Sequence, residues 1–168
     1  MIALHIDDIN KMTTTLFKST SFDQFALQEG SVSGKFSMFI EGNISPDYTS
    51  SEDALENEAE KNGGYVKWLE VRPLLVSLFE NDTLPASFKI VLQAPKSYMD
   101  KLLNDPAFGG DPMVYKALIL TFRYEHGKLT CLTGISANQF TLDKSIDKLW
   151  DQAICKSLDH LQIAFTSL

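Results

Sequence analysis

Between residues 146 and 165 apolar side chains return every three or four positions: Ile146, Leu149, Trp150, Ala153, Ile154, Leu158, Leu161 and Phe165. Lys148, Asp151, Gln152, Lys156, Asp159 and Gln162 occupy the positions between them. On a helix of 3.6 residues per turn the first set forms one stripe and the second a solvated face. Asp143 stands where an N-cap belongs. Burying eight such side chains is worth on the order of 10–20 kcal/mol before the opposing chain entropy. The rest of the chain must supply a surface for this helix, and strand-like runs elsewhere make that surface a sheet.

Ile2, Leu4 and Ile6 alternate as in a half-buried strand. Asp7 or Asp8 then caps a helix carried by Ile9, Met12, Leu16 and Phe17, despite the poor helix-forming run Thr13-Thr14-Thr15. Phe22 to Val32 and Lys35 to Ile44 read as a hairpin turning at Ser33-Gly34, with Phe25, Leu27, Phe36, Met38 and Ile40 as its alternating set. Residues 45–64 break the composition: Pro46, five carboxylates in the nine positions 52–60 and a closing Gly63-Gly64 predict a mobile acidic loop. From Tyr65 the chain turns apolar. Tyr65, Trp68, Leu69, Arg72, Val76 and Phe79 share one helical face and Leu74, Leu75 and Leu78 the other, so this segment is expected to be buried on most sides, with a kink or restart at Pro73.

Ser87 to Gln93 is a further strand, and Pro95 opens a helix bearing Tyr98, Met99, Leu102 and Leu103. After a Gly/Pro-rich stretch over 104–112, Val114 to Glu125 and Lys128 to Ser136 form a second hairpin across His126-Gly127. Both halves therefore run strand, helix, hairpin, helix. The expectation is an α+β fold of two pseudo-repeats, about 1–80 and 86–168 of a single domain 1–168. Its antiparallel sheet carries helices packed on one face and a long C-terminal amphipathic helix. A repeat of pattern by chance between two amphipathic units is the competing reading.

Charge narrows the function classes. Residues 1–60 hold three lysines and eleven carboxylates, and the whole chain has a net charge of −7. Nucleic-acid affinity rests on a basic stripe, and none is visible; Arg72 and Arg123 are the only arginines. Sequence-specific reading of DNA is thus not expected. No apolar run approaches the ~20 residues that span a bilayer, so no membrane association is expected. The opening MIALHIDDINK has no basic n-region of a signal peptide. Cys131 and Cys155, with twenty-three residues between them, form no metal-ligand or disulfide pattern, which points to reduced thiols in the cytoplasm.

No catalytic residues, metal ligands or cofactor are expected. Gly30, Gly34 and Lys35 lack the spacing and the Ser/Thr of a phosphate loop, and His5, His126 and His160 lack ligand spacing. The acidic run lacks the ligand alternation of a calcium loop. The strongest cluster is Tyr65, Trp68 and Arg72 on successive turns, with Arg123 and Tyr124 on a strand. Aromatic rings beside a lone guanidinium suit an anionic or planar ligand, or a partner's hot spot. The competing reading places Trp68 in the core and pairs Arg72 with Glu70 or another carboxylate.

The segments MIALHIDDINK, SFKIVLQ, RYEHGKLTCLTGIS and TLDKSIDKLWDQ are similar to an uncharacterised family of small proteins from Gram-positive bacteria. That resemblance spans nearly the whole chain and implies no activity and no site residues. The two strand–helix–hairpin units also resemble, in topology alone, a DNA sliding-clamp domain, from which the long terminal helix departs. These observations converge on a non-catalytic cytosolic binding or assembly module, with a protein partner or self-association. The alternatives are a small ligand-binding domain or enzyme with a pocket between the repeats, and clamp-like association with nucleic-acid machinery.

Overall fold

Leu4 and Ile6 of strand β1 (Ala3–Ile6) are fully buried, as their alternation requires. Asp8 then caps helix α1 (Ile9–Lys18), its Oδ1 accepting the Lys11 N–H at 3.1 Å. The threonine run survives in this helix because the Thr13 and Thr15 hydroxyls donate to the Ile9 and Lys11 carbonyls at 2.7 and 2.8 Å, while packing buries Met12, Leu16 and Phe17. The computed structural model describes residues 1–45, 47, 63–77, 79 and 83–168. Apart from Ser45, Asp47, Gly63 and Gly64, the expected acidic loop 45–64 lies outside them.

The remaining strands are β2 (Ala26–Ser33), β3 (Ser37–Glu41), β4 (Ser87–Gln93), β5 (Tyr115–Glu125), β6 (Lys128–Ala137) and β7 (Phe165–Ser167). They join β1 in one antiparallel sheet of order β3-β2-β4-β5-β6-β1-β7. The register aligns side chains into rows on one face. One row runs Leu4, Cys131, Phe122, Ile90, Gly30, Ile40; the next runs Ile6, Leu129, Tyr124, Phe88, Val32, Met38. Helices α1, α2 (Trp68–Val76), α3 (Lys96–Leu103) and α4 (Ser145–His160) cover these rows, so the fold is α+β with its helices on one side. The other face carries Glu29, Lys89, Thr121, Arg123, Thr130 and His5.

Two tight features fix this sheet. At the β5–β6 turn, His126 and Gly127 have φ of 51° and 71°, the left-handed pair a two-residue hairpin loop needs. At Gly42 a Cβ would lie 1.6 Å from the Leu27 carbonyl oxygen. The backbone crowds there because residues 65–67 enter beside β2: Leu27 N–H donates to Val66 O at 2.8 Å and Val66 N–H to Gly42 O at 2.9 Å.

Several boundaries differ from the sequence expectation. Phe22 to Phe25 form successive turns instead of the start of β2, with Asp23 N–H on Thr20 O and Phe25 N–H on Phe22 O. Helix α2 runs through Pro73 as one span, and it is not buried on most sides: Leu75 is in the core, whereas Leu74 is 66% exposed. Phe165 leaves the helical stripe for β7. The helix stops because Gln162 turns left-handed (φ 55°), Ile163 N–H reaches Leu158 O at 3.0 Å and Gln162 N–H reaches Asp159 O at 2.9 Å. The element order of the two halves matches, but their pairing differs: β4 lies between β2 and β5, whereas β1 lies between β6 and β7.

Candidate functional site

Arg72 projects from α2 to Asp23 in the turns before β2, where Nε meets Oδ1 at 2.5 Å and Nη2 meets Oδ2 at 3.0 Å. Its Nη1 donates to Phe17 O at 3.3 Å, and the two side chains are only 15% and 8% exposed. The carboxylate raises the guanidinium pKa, chiefly through this hydrogen bond, against the lowering effect of burial. Trp68, one turn earlier, is fully buried and donates its Nε1–H to Leu16 O at 2.8 Å. Tyr124 stacks on Phe88 with ring centroids 5.5 Å apart on the helix side.

Tyr65 and Arg123 lie elsewhere. Tyr65 precedes α2 and bridges Asn43, and Arg123 projects from the open face of the sheet, its Nε 3.5 Å from Glu125. The two arginines therefore sit on opposite faces. The structure joins Trp68 and Arg72 through the core and does not bring Tyr65, Arg123 and Tyr124 to them. Helical spacing put Tyr65 in line with Trp68 only if the helix began before it, and the helix begins at Trp68.

What Tyr65 does border is an open depression of about 540 Å³ on the uncovered face, lined with Glu29, Phe39, Glu41, Asn43 and Lys89. Glu29 and Lys89 are ion-paired across β2 and β4. A second depression, of about 370 Å³, lies at the tip of the β2–β3 hairpin among Val32, Lys35, Phe36, Phe79 and Leu84. Between them runs β3, the outermost strand among the described residues, with one exposed aromatic residue just before it and one within it: Phe36 by 58% and Phe39 by 67%. Apolar alternation drew attention to Phe36 in the sequence as an inward residue. Its position at the edge, which the sequence does not display, makes it accessible instead. Phe39 carries no local signal, since its neighbours Met38 and Ile40 carry the alternation.

Between the two halves, over the sheet, α3 and α4 enclose a cavity of about 50 Å³ lined by Phe22, Phe25, Tyr98, Phe122, Cys131 and Ile154. Ligand pockets typically hold some 300–1,000 Å³. Its lining contains no Arg, His or carboxylate among the described residues. Burial pushes the Cys131 thiol well above its usual range, and burial also raises Cys155 on α4. At the start of β5, burial and a 2.6 Å hydrogen bond to Asp143 push the Tyr115 hydroxyl up to about 12. The same bond, with those from Ser145, lowers the Asp143 carboxyl. The N-cap of α4 is Lys144, which makes no side-chain cap bond, and not Asp143 as the sequence suggested; Asp143, one residue earlier, accepts the Ser145 N–H at 3.1 Å and ties Tyr115 to the helix start.

No described group of three or more His, Cys, Asp or Glu side chains is arranged to hold a metal ion. No described helix is long and apolar enough to cross a membrane. Comparison by family matches residues 15–166 to the model of a "Family of unknown function (DUF5721)". No curated protein and no solved structure matches the chain.

Proposed function

Since the chain belongs to DUF5721, a family of unknown function, membership brings no activity with it, and we propose that the protein is a cytosolic, non-catalytic binding or assembly module working through the β3 side of its sheet. The observation that carries this reading is the edge strand itself. Phe36 and Phe39 are both more than half exposed, and each opens into a depression beside a strand whose outer edge has no neighbouring strand among the described residues. Native proteins ordinarily blunt such an edge, because unpaired backbone groups next to apolar side chains recruit another chain. Exposed aromatic residues are also the side chains that most often carry interface energy. The two unpaired thiols support a reducing compartment.

The test is photo-crosslinking in the cell that makes the protein, with a benzophenone amino acid at Phe39, at Phe36, or at Lys156 on the solvent side of α4. The reading expects an adduct of one defined mass from the first two positions and none from the third. No adduct, or the same adducts from all three, overturns it.

A further inference from the structure

Strand β3 has no neighbouring strand on its outer side among the described residues. Its bonds to β2 decide what it offers outward. Gly42 N–H donates to Gln28 O at 2.9 Å, and the register pairs Gly30 with Ile40 and Val32 with Met38. Residues 38, 40 and 42 therefore turn their N–H and C=O toward β2, while Ser37, Phe39 and Glu41 turn theirs to the free edge. An antiparallel strand added there bonds to those three residues and sets its own side chains beside theirs, face by face.

The two faces of this edge ask for different side chains. On the helix side Met38 and Ile40 are half-buried and continue the apolar rows of the core. On the open side Glu41 stands directly opposite Glu29, a like-charge pair that weakens a sheet when nothing answers it. Lys89 answers Glu29 from β4, and Glu41 keeps no ion-pair partner among the described residues. That uncompensated carboxylate lines the depression of about 540 Å³ together with Phe39, two residues along β3, and Tyr65, which is bridged to Asn43. A carboxylate beside two aromatic rings attracts an ammonium or guanidinium and repels an anion. The net charge of −7 acts in the same direction on an approaching partner.

We propose that β3 receives, as an added antiparallel strand, a basic segment of a partner protein, with a lysine or arginine opposite Glu41, apolar residues opposite Ile40 and Met38, and a β-forming residue opposite Phe39. From its N-terminus the segment thus runs basic, apolar, β-forming, apolar, small, the last residue facing Ser37. This rests on the edge-binding reading and deepens it by naming the chemistry of the partner.

The probes are two blocked peptides, acetyl-GKVTVSG-amide and acetyl-GEVTVSG-amide, whose second residue falls opposite Glu41, titrated into the isotope-labelled full chain and followed by NMR. The lysine peptide should bind with a Kd of about 1 mM or below and shift the amide signals of Ser37, Phe39 and Glu41. The glutamate peptide should bind about tenfold more weakly, since an attraction becomes a repulsion. Glu41→Lys should reverse that preference. Phe39→Pro removes an outward N–H where an edge strand tolerates proline, so it should abolish binding of both peptides while leaving the circular dichroism spectrum unchanged. No binding of the lysine peptide, shifts confined to other parts of the molecule, a preference that Glu41→Lys does not reverse, or binding indifferent to Phe39→Pro each overturns the proposal. Crosslinking at Phe39 separates the two levels: an adduct of one defined mass beside a failed peptide titration removes the basic segment and keeps the edge as a binding surface, whereas no adduct removes both.

Discussion

Truncating Asp23 to alanine leaves the Arg72 guanidinium enclosed beside Phe17 O with its bidentate partner gone. Breaking a buried ion pair from one side costs about 3–5 kcal/mol. The Arg72 side chain retains 15% exposure, which favours the lower end, about 3 kcal/mol. For a chain of this size that is a fall in Tm of about 6–12 °C. With a urea slope near the top of the usual range, it is a midpoint shift of about 1 M. Thermal and urea unfolding followed by far-UV circular dichroism measure both. Replacing the two together, Asp23→Ala with Arg72→Met, removes the stranded charge, so the double variant should be more stable than the sum of the singles by about 2 kcal/mol. Because the pair is shielded, the loss should persist when salt is raised to about 0.5 M. A single-variant cost below about 1 kcal/mol, or strict additivity, would refute the reasoning and return Arg72 to the list of side chains free to hold a ligand.

Two other outcomes follow from the core and the helix start. Tyr115 has a folded pKa above its unfolded value, so its contribution to stability is complete below about pH 10 and fades as pH rises toward about 12; Tyr115→Phe should remove that alkaline loss, as read from urea midpoints between those pH values. In thiol titration with Ellman's reagent under native conditions, Cys131 should stay protected until the protein unfolds, whereas the partly exposed Cys155 should react slowly; fast reaction of two thiols in the native state would contradict the packing described.

The sequence announces those elements whose ends are marked by local chemistry. Strand β4 falls on Ser87–Gln93 as expected because Pro85 and Pro95 bracket an unbroken β-rich run, and the β5–β6 hairpin turns at His126-Gly127 because glycine supplies the left-handed residue. The end of α4 was hidden for the converse reason. Its left-handed cap is Gln162, not glycine, so in the sequence the apolar period runs on unbroken into Phe165. The candidate cluster failed to assemble through an ambiguity of the same kind. Helical spacing describes which side chains share a face, but not whether that face looks at water. Trp68 and Arg72 do share one, and it faces Leu16, Phe17 and Asp23. The exposed pair Phe36 and Phe39 was illegible because strand order, not strand pattern, decides which strand ends a sheet.

The meeting of β1 and β7 has a mechanical consequence. Leu4 stands opposite Ser167, and Leu168 N–H donates to Ala3 O at 2.9 Å, so the two ends of the chain leave the sheet side by side. Tension applied between those ends loads the bonds of this ribbon one after another, as in peeling tape, and not all together as in shear. The protein should thus yield from its termini inward under small loads, shedding β7 while the opposite margin of the sheet is still intact.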